Sequence, residues 1–137
     1  MFILSRFPHT LAGLAIGLML PTGSALATDM LSPQQISEQL VGKTLVGRNH
    51  LSENKPSWPV VLQFKPDGTM ALDVRTNKEI WTDTGRWHLS DTGYCVTWAK
   101  YKSGQEQCNT VQRQGDTYRT YRTIHADGSP SMELRVQ

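Results

Sequence analysis

The residues with the most reactive chemistry are Cys95 and Cys108, the only two cysteines of the chain. As free thiols they would be nucleophiles or metal ligands. Neither belongs to a C-x-x-C pair, and their spacing fits no common zinc pattern. In an oxidising compartment such a pair closes into a disulfide, which restricts the unfolded chain by an amount worth roughly 3 kcal/mol for a loop of this length. Beyond the first 27 residues the histidines are His50, His88 and His125, each alone. There is no H-x-H, no H-E-x-x-H and no calcium-loop pattern, so no metal and no other cofactor is predicted. No G-x-S-x-G elbow is present either. Asp73 and Asp83 fall on consecutive predicted strands. A sheltered carboxylate pair splits its proton affinities, as a glycoside hydrolase requires. The plainer reading, two solvent-facing charges near Arg75 and Arg86 in weak surface pairs, is favoured, and no catalytic residue is assigned.

The four tryptophans are many for the size of the chain. Trp87 and Trp98 stand on alternating strands and are predicted to fill the core. Trp58 lies between Ser57 and Pro59 in a polar stretch. It reads as a contact anchor, a lid on a barrel mouth, or a plug folded back into the core, with the plug favoured. Trp58, with Arg75 and Arg86 on the polar parity of their strands, forms the candidate partner-contact set. Tyr118 and Tyr121 fall on opposite faces, so they make no stacking platform.

These residues are positioned by one helix and a run of strands. Ser32-Pro33-Gln34-Gln35 is a capping box with proline at the first helical position, and Gly42 is a stop signal. A short helix over Pro33–Val41 follows, laid against a sheet or closing one end of it. From Thr44 onward the apolar period becomes two. Thr44–Arg48, Val60–Phe64, Met70–Val74, Ile80–Ser90, Tyr94–Trp98, Asn109–Arg113, Thr117–Ile124 and Met132–Val136 read as strands, separated by turns such as Pro66-Asp67-Gly68. Gly85 inside a strand marks a bulge, a bend or a close backbone approach. The fold class is mostly β: an antiparallel meander of about eight strands, a small barrel or a sandwich, with one short N-terminal helix. Direct pairing of Cys95 with Cys108 centres a hairpin on Tyr101-Lys102, yet the turn-forming residues are Ser103-Gly104. A wider connection or a diagonal disulfide resolves this.

Residues 1–27 read as a cleavable signal peptide: Arg6, the apolar run Leu11–Leu20, and Ala25-Leu26-Ala27. The apolar run is about half the roughly 20 residues a membrane span needs, so no stable membrane insertion is expected. Residues 28–137 then form a single disulfide-braced domain, periplasmic or secreted. Its charges nearly balance: 14 basic against 12 acidic side chains in the whole chain, with one of the basic ones, Arg6, in the leader. The basic residues are scattered, which argues against a nucleic-acid partner.

Leu40-Val-Gly-Lys-Thr-Leu-Val-Gly47, Phe64-Lys-Pro-Asp-Gly-Thr69, Gly85-Arg-Trp87, Tyr94-Cys-Val-Thr-Trp98, Cys108, Gly115-Asp-Thr-Tyr118 and Asp127-Gly128 follow one another in an order that resembles the exported proteobacterial domain-of-unknown-function family numbered 995. The resemblance runs from about Leu40 to Gly128. It implies a short β domain sent to the periplasm and implies no chemistry. The expected function is a non-enzymatic, monomeric binding module whose partner is an envelope protein or a small molecule, one version being an inhibitor or immunity-type protein acting on an envelope enzyme. The alternatives are a calycin-type carrier, which needs an open apolar pocket of a few hundred Å³, and a small hydrolase using Asp73 and Asp83.

Overall fold

The computed structural model describes residues 27–50, 54–122 and 130–137. Most of the leader, His125 and Asp127-Gly128 lie outside the described residues.

The strands are β1 (Thr28–Met30), β2 (Thr44–Asn49), β3 (Pro59–Phe64), β4 (Thr69–Arg75), β5 (Ile80–Leu89), β6 (Tyr94–Trp98), β7 (Glu106–Gln114), β8 (Thr117–Arg122) and β9 (Met132–Val136). From β2 to β9 each pairs antiparallel with the next, and β9 returns to β2 through Leu45↔Val136 and Gly47↔Leu134. The sheet is therefore a closed eight-stranded up-and-down barrel, not a sandwich. Closure removes the exposed sheet edges. The seam has a sequence signature that only the fold makes visible. A Cβ at Gly47 would run into the backbone carbonyl of Glu133 on β9, so only glycine lets these two strands meet. The short β1, not foreseen from the sequence, pairs with the far half of β7, beyond the stretch that β6 occupies.

Alternation sets which side chains face in. Leu62, Met70, Leu72, Val96, Val111 and Leu134 form the buried interior, while Asp73, Arg75, Arg86 and Arg135 point out. This polarity is the reverse of a lipid-embedded barrel, whose outer band is apolar.

Helix α1 (Pro33–Leu40) plugs one end. Ser32 Oγ accepts the Gln35 N–H and Gln35 Oε1 accepts the Ser32 N–H, completing the capping box. Ile36 and Leu40, one turn apart, are both fully buried. The helix stops at Leu40, one residue before the expected end. Val41 is extended and bridges Phe64, and the N–H of Gly42, at φ 78°, donates to the Phe64 carbonyl. Gln39 ties this end to β7 and β8 by accepting from Arg113 and the Tyr118 hydroxyl.

Trp98 is buried as expected, but Trp87 is only half-buried at the rim of the plugged end. Its indole N–H donates to the Lys65 carbonyl, and its ring meets Phe64 edge-on. Cys95 and Cys108 are joined and lie directly opposite each other. The diagonal alternative is thus replaced by the wider connection: the chain turns through a 3₁₀ segment, Tyr101–Gly104, with Lys102, Ser103 and Gly104 all at positive φ. At Gly85 the ladder is unbroken on both sides, so the glycine marks close approach, not a bulge.

Candidate functional site

Among the described residues, the end opposite the helix is open. There the barrel mouth encloses a cavity of about 300 Å³. One wall is apolar: Leu72 and Val74 of β4, Trp81 of β5 and Trp98 of β6. The facing wall, from β2, β8 and the approach to β9, carries Asn49, Arg122 and Ser131.

Trp58 enters this cavity because its backbone is held on both sides. Asn49 occupies an inward position of β2, where its Oδ1 accepts the Trp58 N–H at 2.9 Å and its own N–H donates to the Trp58 carbonyl. On the outer side, the Arg48 guanidinium donates to the hydroxyl and the carbonyl of Ser57. Trp58 therefore rests half-buried against the core and lines the mouth. His50, next along the chain, lines the mouth at φ 53°, a conformation that side-chain-bearing residues adopt at a cost.

Tyr101 is positioned by Asp83. The Asp83 carboxylate is 3% exposed. It accepts the backbone N–H groups of Thr84, Lys100 and Tyr101 at 2.8, 3.2 and 2.9 Å, enough partners to hold a buried charge. Tyr101 in turn holds Arg122. The Arg122 guanidinium donates to the Tyr101 hydroxyl at 2.8 Å and lies 5.1 Å from the ring centroid. A chain of contacts thus runs from Asp83 through Tyr101 to a cation in the mouth.

Below this level the β7–β8 side of the interior is polar. Gln107, Asn109 and Thr120 are buried beside a small void of about 20 Å³ that shares Trp98, Arg122, Ser131 and Met132 with the mouth cavity. The Gln107 amide donates to the carbonyls of Gln105 and Glu106, while its Oε1 is buried with no partner among the described residues. Tyr94 borders the same void, and burial pushes its phenol above its ordinary range, so it stays protonated.

The carboxylate pair does not form. Asp83 faces inward opposite Leu72, and Asp73 faces outward opposite Thr82, so the sheet separates them. The reading of Asp83 as a solvent-facing charge is corrected with it, because Asp83 lies deep under the β6–β7 turn. Trp58, Arg75 and Arg86 are not brought together. Trp58 lines the mouth, Arg75 lies on the outer surface opposite Ile80, and Arg86 lies opposite Thr69, six residues further along the same ladder, or about 20 Å. His88, Cys95 and Glu106 place donor atoms within 4.8 Å of one another on the outer face. With the Cys95 sulfur bonded to Cys108, His88 and Glu106 are the donors that remain there among the described residues, too few for a metal site. Asn49, Tyr101 and Arg122 were not singled out in the sequence. Their signal is polarity on the inward parity of a strand or in the turn after it.

No family model, no curated protein and no solved structure matches this chain.

Proposed function

We propose that the protein is an exported, non-enzymatic binding module that takes a small, largely apolar molecule into the mouth of its barrel. The observation that carries this reading is the cavity of about 300 Å³, open at one end among the described residues and walled by Trp58, Trp81, Trp98, Leu72 and Val74. That size lies at the lower end of small-molecule sites, and an apolar wall with a few fixed polar groups is their usual lining. The helix closes the other end, so a ligand enters and leaves by one route. An inhibitor that docks on a protein partner draws no comparable support, since Trp58 lines the mouth while Arg75 and Arg86 stand on the outer surface about 20 Å apart.

Export belongs to the same proposal. The disulfide fits an oxidising compartment. Among the described residues no helix is long and apolar enough to cross a membrane. Membership in the family numbered 995 is proposed on the motifs given above and adds no activity.

Titration of the oxidised protein with 1-octanol, read by intrinsic tryptophan emission, tests the function. Saturable quenching or a blue shift that Val74→Trp abolishes supports it, since the added indole fills the cavity. Emission unchanged up to the solubility limit of octanol, together with a bare polypeptide mass for the exported protein under native mass spectrometry, overturns it.

A further inference from the structure

We infer that the molecule taken into the mouth is an alcohol. Its apolar body lies in the open cavity, and one hydroxyl enters the small void beneath and donates to Oε1 of Gln107. This rests on the mouth being the binding site and goes on to specify what it accepts.

The acceptor is fixed in the wall. Gln107 stands at an inward position of β7, opposite Val96 of β6, and is 8% exposed. Its side-chain N–H groups donate to the carbonyls of Gln105 and Glu106, at 3.4 and 3.2 Å. Turning the amide over would set Oε1 against those two carbonyl oxygens, acceptor against acceptor. The next inward residue, Asn109, does not serve Oε1, because its own amide donates to the Gln107 backbone carbonyl. Oε1 is thus a buried acceptor with no partner among the described residues. Such an atom draws a donor, because leaving it bare forfeits the hydrogen bond that water gives it in the unfolded chain.

The void fits one such donor. Gln107 lines it together with Tyr94, Asn109 and Thr120, and its volume is about 20 Å³. That is room for one water-sized group, a hydroxyl but not a ring. The void shares Trp98, Ser131 and Met132 with the mouth cavity. A ligand lying along the apolar wall of Leu72, Val74 and Trp98 therefore has one end at the edge of the void. An ether oxygen there only accepts and meets Oε1 lone pair to lone pair. An alkyl end leaves Oε1 bare. Water is a competing donor, so the selection is moderate and not absolute.

Three probes with the same number of heavy atoms test this: 1-octanol, heptyl methyl ether and 1-octanethiol, titrated into the oxidised protein with tryptophan emission as the readout. Octanol is expected to bind tighter than the ether by about tenfold. Octanethiol, whose S–H is a weak donor, ranks with the ether. In Gln107→Met, which keeps the bulk and removes the acceptor, the advantage of octanol falls below about threefold while the ether still binds, which shows that the barrel is intact. If that variant does not fold, the wild-type ranking of octanol against octanethiol decides alone. Equal binding of the three probes by the wild type, or an advantage of octanol that survives Gln107→Met, overturns the inference and leaves the mouth as a plain apolar site. Absence of binding by all three probes removes the site itself and the inference with it.

Discussion

The carboxylate of Asp83, deep in the barrel wall, accepts the backbone N–H of Tyr101 at 2.9 Å, and Tyr101 carries the Arg122 guanidinium. A buried acid thereby acts at a distance on the mouth, by fixing a turn and not by touching a ligand. Asp83→Ala leaves three backbone N–H groups without their acceptor. At about 1 kcal/mol or more for each buried orphan, the expected loss of unfolding free energy is roughly 2–4 kcal/mol. Urea denaturation measures it. Asp83→Asn keeps an acceptor oxygen and should lose less than half as much, and a loss equal to that of the alanine variant would contradict the capping role.

The disulfide and the turn it spans make opposing predictions. Reduction, or the double change Cys95→Ala and Cys108→Ala, is expected to cost about 3 kcal/mol, seen as a lower urea midpoint with the barrel still folded. In the same connection, Ser103 sits at φ 54° without being glycine. Ser103→Gly relieves about 1–2 kcal/mol of left-handed strain against about 0.5–1 kcal/mol of added unfolded-state freedom. The net is a gain of several tenths of a kcal/mol or more, and a lower midpoint for that variant would show that the turn is not strained.

Much of this architecture was legible because its signals are local. The capping box at Ser32 to Gln35, the period-two strands and the Pro66-Asp67-Gly68 turn each act within a few residues. Barrel against sandwich was not legible, because closure depends on β9 meeting β2, residues some ninety positions apart such as Leu45 and Val136. The mouth was legible in part. Trp58 stands out in the sequence by its setting, whereas Asn49, which fixes its backbone, does not. Asp83 shares the parity of Trp81 and Trp87, so its inward direction was written in the sequence. A charge on an apolar face can be buried only if the fold supplies partners, and those come from Lys100 and Tyr101, beyond the next strand.

Gly85 couples packing to the site. A Cβ there would lie 2.9 Å from the Thr97 carbonyl and 3.0 Å from both the Trp98 ring and the Val96 side chain. Relief from the carbonyl needs a shift of the β5–β6 ladder, and relief from the other two contacts needs Val96 and Trp98 to move, the latter lining the mouth. Gly85→Ala is expected to cost about 1–3 kcal/mol and to shift tryptophan emission in the unliganded protein. Unchanged stability and emission would show that the wall has slack at this level.

His88 gives the pH dependence. Its Nδ1 lies 3.1 Å from the Leu89 carbonyl and its Nε2 3.2 Å from a Glu106 carboxylate oxygen. Both neighbours are acceptors, and an imidazole donates from both nitrogens only when protonated. The Leu89 carbonyl first, and Glu106 second, therefore raise the His88 pKa above its ordinary 6.5. A raised folded-state value means that the protonated form is favoured by folding. The associated stability is complete below pH 6.5, declines as pH rises through the folded-state value, and is absent above it. The ring is solvent-exposed, so the effect on stability is small and screened by salt. NMR titration of the imidazole is the sharper measurement. His88 should titrate above 6.5 in the wild type. In Glu106→Gln it should fall back only partly, because the Leu89 carbonyl remains. A wild-type value at or below that of a free imidazole would mean that the two acceptors do not grip the ring together.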